Sequence, residues 1–352
     1  MEILKNLVNS SKCTLLCVGP MSKNFVDASI EYSRKINFPL MLIASRRQID
    51  SEAFGGGYVN NWSTESFSDY IKKKNAKNIL LCRDHGGPYQ GAILDKSKNS
   101  KKIEMENAKL SFKSDIDSGF KIIHIDPSLY LGKKPFEESI NRLFELYEYC
   151  WAYSRKKNKK ISFEIGTEEQ NGSTNSPYEL EKTLELVKKF CKKNKIPLPA
   201  EISVPQMIKI CEKNNIMMKA HNCDYLSDHA LQFHPRLGIH AINVAPEFGV
   251  IESRTIYNLL KKYNLRSLLK RFIDLSFNSM KWEKWMKENS KANKIDKALI
   301  AGHYIFSNDE FLDIFKETEN FLKKKKININ KDIKKELKKS ISRYAKNLGL
   351  EN

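Results

Sequence analysis

Short apolar runs alternate with longer amphipathic stretches over the first 250 residues or so of the chain. Seven runs are clear: CTLLCVG (13–19), PLMLIAS (39–45), NILLCRD (78–84), KIIHIDPS (121–128), ISFEIGTE (161–168), IMMKAH (216–221) and IHAINVAP (239–246). Continuous apolar runs of this length are typical of strands buried on both faces, as in a parallel sheet wrapped by helices. Helical spacing marks the stretches 24–36, 64–74, 104–118, 137–155 and 178–193. The repeat predicts an α/β fold, either a barrel or a doubly wound sheet.

The region between the fifth run and the sixth, residues 169–215, is the least regular part of this pattern. Only Glu201–Val204 has strand character there, and Pro197, Pro199 and Pro205 surround it. Proline cannot donate a ladder hydrogen bond and is rare in central strands. The sequence therefore predicts a sixth strand that is either short or missing.

The strand pattern stops after about residue 255. Residues 256–352 predict helices only, at 256–275, 281–289, 309–326 and 331–348. Ser307-Asn308-Asp309-Glu310 has the composition of a helix start, with acids in the first turn. No low-complexity linker separates the two regions. We expect an α/β unit over 1–255 and a basic helical extension over 256–352 that packs on it.

Composition narrows the class of protein. The chain is 41% hydrophobic and 29% charged, with a formal net charge of +19 that comes largely from lysines spread over helical stretches. No groove-reading element is evident, so we expect a solvated lysine surface rather than a nucleic-acid site. The seven cysteines form no CxxC pair and predict free thiols in a reducing cytosol. No run is long and apolar enough for a membrane span, and the first residues lack a signal core, so we expect a cytoplasmic protein without a membrane partner.

Polar residues gather where the predicted strands end. In a parallel α/β barrel the carboxyl ends of the strands meet at one rim, where functional side chains lie. The candidates are Arg46, Arg47 and Gln48 after the second run, Asp84 and His85 at the end of the third, His124, Asp126 and Ser128 on the fourth, Glu164 and Glu168 on the fifth, His221 and Asn222 at the end of the sixth, and Asn243 on the seventh. Histidines and carboxylates together suit a divalent metal, which would polarise a carbonyl while a carboxylate moves a proton.

Several of these residues have a structural interpretation as well. His124 lies mid-strand, where a hydrogen-bonded histidine of the barrel interior is as good an explanation as a ligand. Asp126 and Glu164 could pair with lysines at the rim, although buried acids are costly without a partner. Arg46 and Arg47 would either bind an anionic group of a substrate or cap neighbouring carboxylates.

Local motifs resemble those of a known family. Residues 119–128 with Pro135-Phe136-Glu137-Glu138-Ser139-Ile140 look like the fourth strand and helix of class II fructose- and tagatose-bisphosphate aldolases, and residues 238–245 resemble their last strand. Closer still is the family of non-catalytic subunits of class II tagatose-bisphosphate aldolase. That resemblance lies in Gln48 with Phe54-Gly55-Gly56-Gly57-Tyr58, Asp84-His85 with Gly87-Pro88, residues 121–126, Ile165-Gly166-Thr167-Glu168, and Ala220-His221 with Asp224-Tyr225. Together the matches cover roughly residues 13–260.

The resemblance implies a (β/α)₈ TIM barrel with a C-terminal helical extension, a zinc cofactor and a sugar-phosphate substrate. By the same resemblance, Asp84 would transfer a proton, His85 and His221 would bind zinc, and Asn243 would contact the substrate. A homo-oligomer, or assembly with an aldolase partner subunit, is also implied.

Departures from the family pattern leave the function open. The aldolases supply a third zinc histidine from strand six, but no histidine lies between His124 and His221 here, so Glu168, Glu164 or a residue of strand six would have to replace it. Asn222-Cys223 stands where the family has a small phosphate-binding turn, and Pro246 replaces a threonine. Three functions remain: an aldolase-type lyase acting on a phosphorylated ketose, a metal-dependent C4 sugar epimerase, and a non-catalytic stabilising subunit.

Overall fold

A parallel sheet forms the centre of the computed structural model, which describes residues 8, 10–91, 100–129, 136–166, 177–203 and 208–351. Its strands within these ranges are β1 (Leu15–Val18), β2 (Leu40–Ser45), β3 (Ile79–Gly86), β4 (Ile122–Ile125), β5 (Ser162–Gly166), β6 (Glu201–Ser203), β7 (Met217–Ala220) and β8 (Ala241–Val244). Neighbours pair in parallel and in chain order, and β8 pairs with β1, so the sheet curls into a closed barrel. The predicted α/β fold with a parallel sheet is confirmed.

A helix follows each strand along the described chain. These helices are α1 (Lys23–Ile36), α2 (Thr64–Lys73), α3 (Lys101–Ser118), α4 (Phe136–Lys156), α5 (Pro177–Asn194), α6 (Ile208–Lys213), α7 (Asp228–Arg236) and α8 (Pro246–Lys262). Beyond them lie α9 (Arg266–Asn278), α10 (Lys294–Ala301), α11 (Asp309–Lys324) and α12 (Ile329–Asn347), and short 3₁₀ turns occur at Glu52–Phe54, Glu283–Trp285 and Gly302–Tyr304. None of the described helices is long and apolar enough to cross a membrane.

The inside of the barrel changes from apolar to polar along its axis. Side chains alternate along a strand, so residues two apart point the same way. An apolar cluster contains Cys82 of β3, Ile122 of β4 and Ala241 of β8. Two residues further along these strands, towards their carboxyl ends, are Asp84, His124 and Asn243. The strand period therefore places these three polar residues on the interior side, at the rim that the sequence predicted.

The sixth strand is present and short. β6 has three residues, and it pairs with β5 on one side and β7 on the other. This settles the choice between a short and a missing strand in favour of a short one. Residues 204–207, where the strand would continue, lie outside the described chain.

The helical extension differs in detail from its prediction. The helix expected over 256–275 is two helices, because the chain turns at Asn264, whose φ of 55° is left-handed. The helix expected over 281–289 is wrong: a single 3₁₀ turn occupies its centre, between Met280 and Asn289 with φ of 56° and 66°. Helix α12 packs against α1 and α8, and Thr14 N–H donates to the Leu348 carbonyl at 3.0 Å. A domain division at residue 255 stays a prediction, and α8 runs through that position.

Candidate metal centre at the barrel rim

An irregular end to β3 brings two consecutive side chains to the rim. In a regular strand Asp84 and His85 would point to opposite faces. The pairing of β3 with β4 instead shifts register between Arg83 and Gly86, and His85 has a φ of 42°. Residues other than glycine rarely adopt this left-handed conformation, and it recurs at functional sites. The shift directs both Asp84 and His85 towards the same cluster.

Three histidines from different parts of the barrel meet at this rim. The ring centroids of His85 and His124 are 5.2 Å apart, those of His85 and His221 5.1 Å, and those of His124 and His221 5.4 Å. His221 Nδ1 lies 3.3 Å from His85 Nε2. His124 is fully buried; its Nδ1 accepts the His85 backbone N–H at 3.2 Å, and its Nε2 has no hydrogen-bond partner within the described chain. The structure therefore places His124 in the cluster, beside the two histidines that the sequence singled out.

Two carboxylates join the histidines. Glu164 Oε1 lies 3.2 Å from His221 Nε2 and 3.9 Å from His124 Nδ1, and Asp84 Oδ1 lies 3.6 Å from the same His124 nitrogen. Glu164 is fully buried, and its second oxygen accepts a hydrogen bond from Lys219 Nζ at 2.7 Å. Sequence reasoning missed Lys219, although a lysine inside the apolar strand IMMKAH is itself a signal of a buried charge partner.

Electrostatics keep both carboxylates ionised. Burial alone would raise the pKa of Asp84, but His85, His124 and His221 outweigh burial and hold that pKa well below its ordinary value. Burial alone would likewise raise the pKa of Glu164. Lys219, His124 and His221 outweigh burial, so the pKa of Glu164 is also lowered. Two negative charges therefore face the histidine nitrogens.

Asp126 holds His85 in a fixed orientation. Its Oδ2 lies 2.6 Å from His85 Nδ1 and accepts a hydrogen bond from Gln90 Nε2 at 3.1 Å, while its Oδ1 accepts the Ser128 backbone N–H at 2.8 Å. Burial would raise the pKa of Asp126, and the contact with His85 outweighs it and lowers that pKa. A carboxylate behind a histidine sets which ring nitrogen faces a metal. Asp126 therefore contacts a candidate ligand from behind the cluster, and a role of Asp126 or Ser128 in binding substrate stays a prediction; Ser128 Oγ is buried without a partner in the described chain.

Asn243 and Asn222 lie at the β7 and β8 side of the rim. Asn243 Nδ2 donates to Asp84 Oδ1 at 3.2 Å and lies 3.2 Å from His221 Nε2. Its Oδ1 is buried and has no hydrogen-bond partner among the described residues. Asn222 follows His221 with a φ of 57° and is exposed. Asn243 therefore joins the cluster, and Asn222 lies beside it.

The residues after β2 take different roles. Arg46 is buried, with its Nε 2.9 Å from Asp50 Oδ2 and its Nη1 donating to the Gly87 carbonyl at 2.8 Å. Gln48 is also buried and donates to the Pro20 carbonyl at 3.1 Å. These contacts favour the structural interpretation of Arg46. Arg47 is half-buried. Glu168, proposed as a ligand, lies outside the described residues.

The donor set fits a divalent metal ion. Ligand atoms of Asp84, His85 and His221 all lie within 4.8 Å of one another, and so do those of His124, Glu164 and His221. Imidazole nitrogens combined with carboxylate oxygens suit Zn²⁺ and similar ions. The two sets share His221. In place of the family's third histidine, the described residues offer Glu164 of β5, which the sequence had proposed, and His124 of β4.

Comparisons with known proteins show the fold. No protein-family profile and no curated sequence matches this chain. Among solved structures, the chain is similar to a protein from Sinorhizobium meliloti 1021 described as a probable tagatose 6 phosphate kinase, at 12% identity and a TM-score of 0.77, over 95% of this chain and 100% of that one. It is also similar to the fructuronate-tagaturonate epimerase UxaE of Cohnella laeviribosi (10% identity, TM-score 0.57, 96% and 81% covered). A third similarity is to a fructose-bisphosphate aldolase of Campylobacter jejuni (11% identity, TM-score 0.54, 99% and 92% covered).

Proposed function

We propose that this chain is a divalent-metal-dependent lyase with Zn²⁺ as its metal, which breaks or forms a carbon–carbon bond of a ketose by aldol chemistry. The observation that supports this most is the cluster of three histidines and two ionised carboxylates at the carboxyl ends of the strands. In parallel α/β barrels this end carries the active site. A phosphorylated ketose as substrate and assembly with itself or with a partner subunit are part of the same proposal.

Retro-aldol cleavage requires a base and a group that accepts an electron pair. The proton of the hydroxyl next to the breaking bond goes to a base, the bond breaks, and its electron pair moves to the carbonyl. Asp84 is ionised and lies at the rim, so it is placed to take that proton. Asn243 Oδ1, which is buried without a partner in the described chain, would accept a hydrogen bond from a substrate hydroxyl.

A bound divalent ion would supply the Lewis acid that stabilises the charge developing on the carbonyl oxygen. His85 and His221 would hold that ion, with His124 or Glu164 completing the ligand set. Asp126 and Lys219 would fix these ligands from behind, because Asp126 contacts His85 and Lys219 contacts Glu164.

A C4 sugar epimerase is the second candidate. It would use the same bond cleavage but keep both fragments bound and re-form the bond on the other face. The fold is similar to that of an epimerase over 96% of this chain, and this similarity supports an epimerase as the second candidate function. A non-catalytic stabilising subunit is the third candidate. The ionised Asp84, beside histidines and carboxylates that could bind a metal, favours the two enzymatic functions over this one.

Metal analysis with activity assays tests the proposal. Protein purified without added zinc is expected to hold about one equivalent of a transition metal, and His85→Ala and His221→Ala to lose it. The exposed His229→Ala is the matched control and should keep the metal. Asp84→Asn should keep the metal and lose cleavage of a panel of ketose phosphates. Metal below about half an equivalent, unchanged by His85→Ala, would contradict an enzyme of this kind and favour the stabilising subunit.

A further inference from the structure

The backbone of β3 changes register where it reaches the rim, and β4 holds one side of this irregular segment. The His85 N–H donates to His124 Nδ1 at 3.2 Å, and the Gly86 carbonyl accepts the Asp126 N–H at 2.7 Å. His124 lies on β4, and Asp126 follows it directly. The next peptide, at Gly87, is held from the opposite side.

Arg46, the first residue after β2, holds that opposite side. Its Nη1 donates to the Gly87 carbonyl at 2.8 Å, and its Nε lies 2.9 Å from Asp50 Oδ2. The side chains of Arg46 and Asp50 are each only 1% exposed. Asp50 Oδ1 in turn accepts hydrogen bonds from Ser111 Oγ at 2.6 Å and from the Ser51 backbone N–H at 2.9 Å. The guanidinium is therefore fixed by a carboxylate that is itself fixed.

Arg83 makes the reciprocal connection, from β3 back to β2. Its Nη1 donates to the carbonyls of Ala44 and Ile49, both at 2.7 Å. Its Nε lies 2.8 Å from Asp115 Oδ2 of α3, and both side chains are fully buried. Arg83 also lies where the register shift of β3 begins. The two arginines thus connect the ends of β2 and β3 in both directions, and the register shift lies between them.

The peptide at Gly87 has little room to move. A Cβ atom at this position would lie 2.0 Å from the Asp126 carbonyl oxygen. Asp126 Oδ2 lies 2.6 Å from His85 Nδ1 and accepts a hydrogen bond from Gln90 Nε2 at 3.1 Å. A shift of the Gly87 peptide would therefore disturb Asp126, the residue that orients the His85 ring.

We propose that Arg46 is a positioning residue of the metal centre: through the Gly87 carbonyl it holds His85 in the left-handed conformation that turns its ring into the cluster. A φ of 42° at a residue other than glycine persists only where the surrounding contacts impose it. A buried ion pair adds little net stability, because desolvation offsets the attraction. The contribution of the Arg46–Asp50 pair is thus the orientation of the guanidinium. The inference rests on the proposed function for the metal, but the conformation of His85 does not require one.

Zinc affinity of the full-length protein, measured by competition with a fluorescent chelator, tests this role. Arg46→Met removes the donor to the Gly87 carbonyl, and we expect the affinity for Zn²⁺ to fall about tenfold or more. Asp50→Asn is the matched control, because it removes the negative charge of the same ion pair but leaves the Arg46 donor in place. It should bind Zn²⁺ like the unmodified protein. Arg46→Lys, which keeps a cationic donor, should recover part of the loss.

Gly87→Ala displaces the same peptide without touching the ion pair, so it also tests the role if Arg46→Met does not fold. Its Cβ would meet the Asp126 carbonyl oxygen, and we expect zinc affinity to fall as in Arg46→Met. Zinc affinity that is unchanged in either Gly87→Ala or Arg46→Met would overturn the positioning role. An equal loss in Asp50→Asn and Arg46→Met would overturn it too, because the ion pair alone would then account for the effect.

Nuclear magnetic resonance of the metal-free protein separates this inference from the proposed function. With histidine labelled by ¹⁵N, the ring signals of His85, assigned by their loss in His85→Ala, report the tautomer that Asp126 fixes. These signals should change in Arg46→Met and stay the same in Asp50→Asn. A protein that shows this pattern but binds no zinc would contradict the proposed function and leave the role of Arg46 in place. Unchanged His85 signals in Arg46→Met would overturn the inference, whatever the zinc content.

Discussion

Lys219 Nζ donates to Glu164 Oε2 at 2.7 Å inside the barrel, where the side chains of both residues are almost fully buried. The other oxygen of Glu164 faces His221. Lys219 thus offsets the charge of a candidate ligand. Burial of such a pair is tolerated because each charge has its partner, and removal of one partner leaves the other uncompensated.

Substitution of Lys219 should destabilise the protein strongly. Lys219→Met leaves the buried Glu164 carboxylate without its ammonium partner, and we expect the free energy of unfolding to fall by about 3–5 kcal/mol. Urea denaturation followed by circular dichroism measures this. The double variant Lys219→Met with Glu164→Gln should recover part of the loss, since no unpaired charge remains. If Lys219→Met were as stable as the unmodified protein, the Lys219–Glu164 ion pair would not stabilise the fold.

Asp126 should control metal affinity without binding the metal. Asp126→Asn keeps the shape of the side chain but weakens its contact with His85 Nδ1, so the ring is no longer held with its Nε2 towards His221. We expect metal affinity to fall about 10–100-fold, measured by competition with a chromogenic chelator. Asp117→Asn, on the exposed face of α3, is the control and should leave affinity unchanged. Equal affinities in the two variants would rule out this role of Asp126.

The space at Gly166 is needed by His124. A Cβ atom at this position would lie 2.2 Å from His124 Nε2, so Gly166→Ala must displace the imidazole ring. We expect this variant to lose metal or activity while remaining folded. Gly91→Ala is the matched control, because its nearest neighbour would lie 3.4 Å away, at ordinary contact distance. Unaltered metal content and turnover in Gly166→Ala would remove His124 from the functional cluster.

Glu252 should make stability depend on pH. Burial raises the pKa of Glu252 from 4.5 to about 7, against the hydrogen bonds that Ser22 and Asn24 donate to it. A folded-state pKa above the unfolded one means that the protonated form is favoured by folding. The contribution of Glu252 to the free energy of unfolding is therefore complete below pH 4.5, where the group is protonated in both states. It is lost as the pH rises through about 7. Glu252→Gln should flatten this dependence and stabilise the protein at pH 8 by up to about 3 kcal/mol.

Denaturant midpoints measured between pH 5 and pH 8.5 test this, with the exposed Glu288→Gln as the control. Parallel pH profiles for Glu252→Gln and the unmodified protein would contradict the assignment.

The sequence predicted most strands because their apolar runs are local signals. It also predicted that Asp84, His85 and His221 would meet, since strand ends of a parallel barrel share one rim. It did not decide the role of His124, because the approach of that ring to His85 and His221 depends on the register shift of β3, which no local pattern records. Lys219 was missed for a similar reason: its partner Glu164 is 55 residues away in the chain.

The helical extension was predicted less accurately. The stretch 281–289 has helical spacing, yet left-handed residues at Met280 and Asn289 bound it, and packing of Tyr304 against Tyr58 fixes the neighbouring chain. Such tertiary contacts override a weak local preference. The short β6 was foreseen as one of two possibilities from the prolines around it.

The bond from Thr14 to the Leu348 carbonyl has a consequence for synthesis of the protein on the ribosome. The first strand emerges first, but it finds β8 only after residue 244 has been made, and helix α12 reaches it only near residue 348. Until β8 has been made one edge of the nascent sheet stays open, and open edges are where strands of separate chains join. Loss of residues 253–352 would keep all eight strands but remove α12 from α1 and α8, so we expect the shortened chain to expose apolar helix faces and to aggregate or bind chaperones.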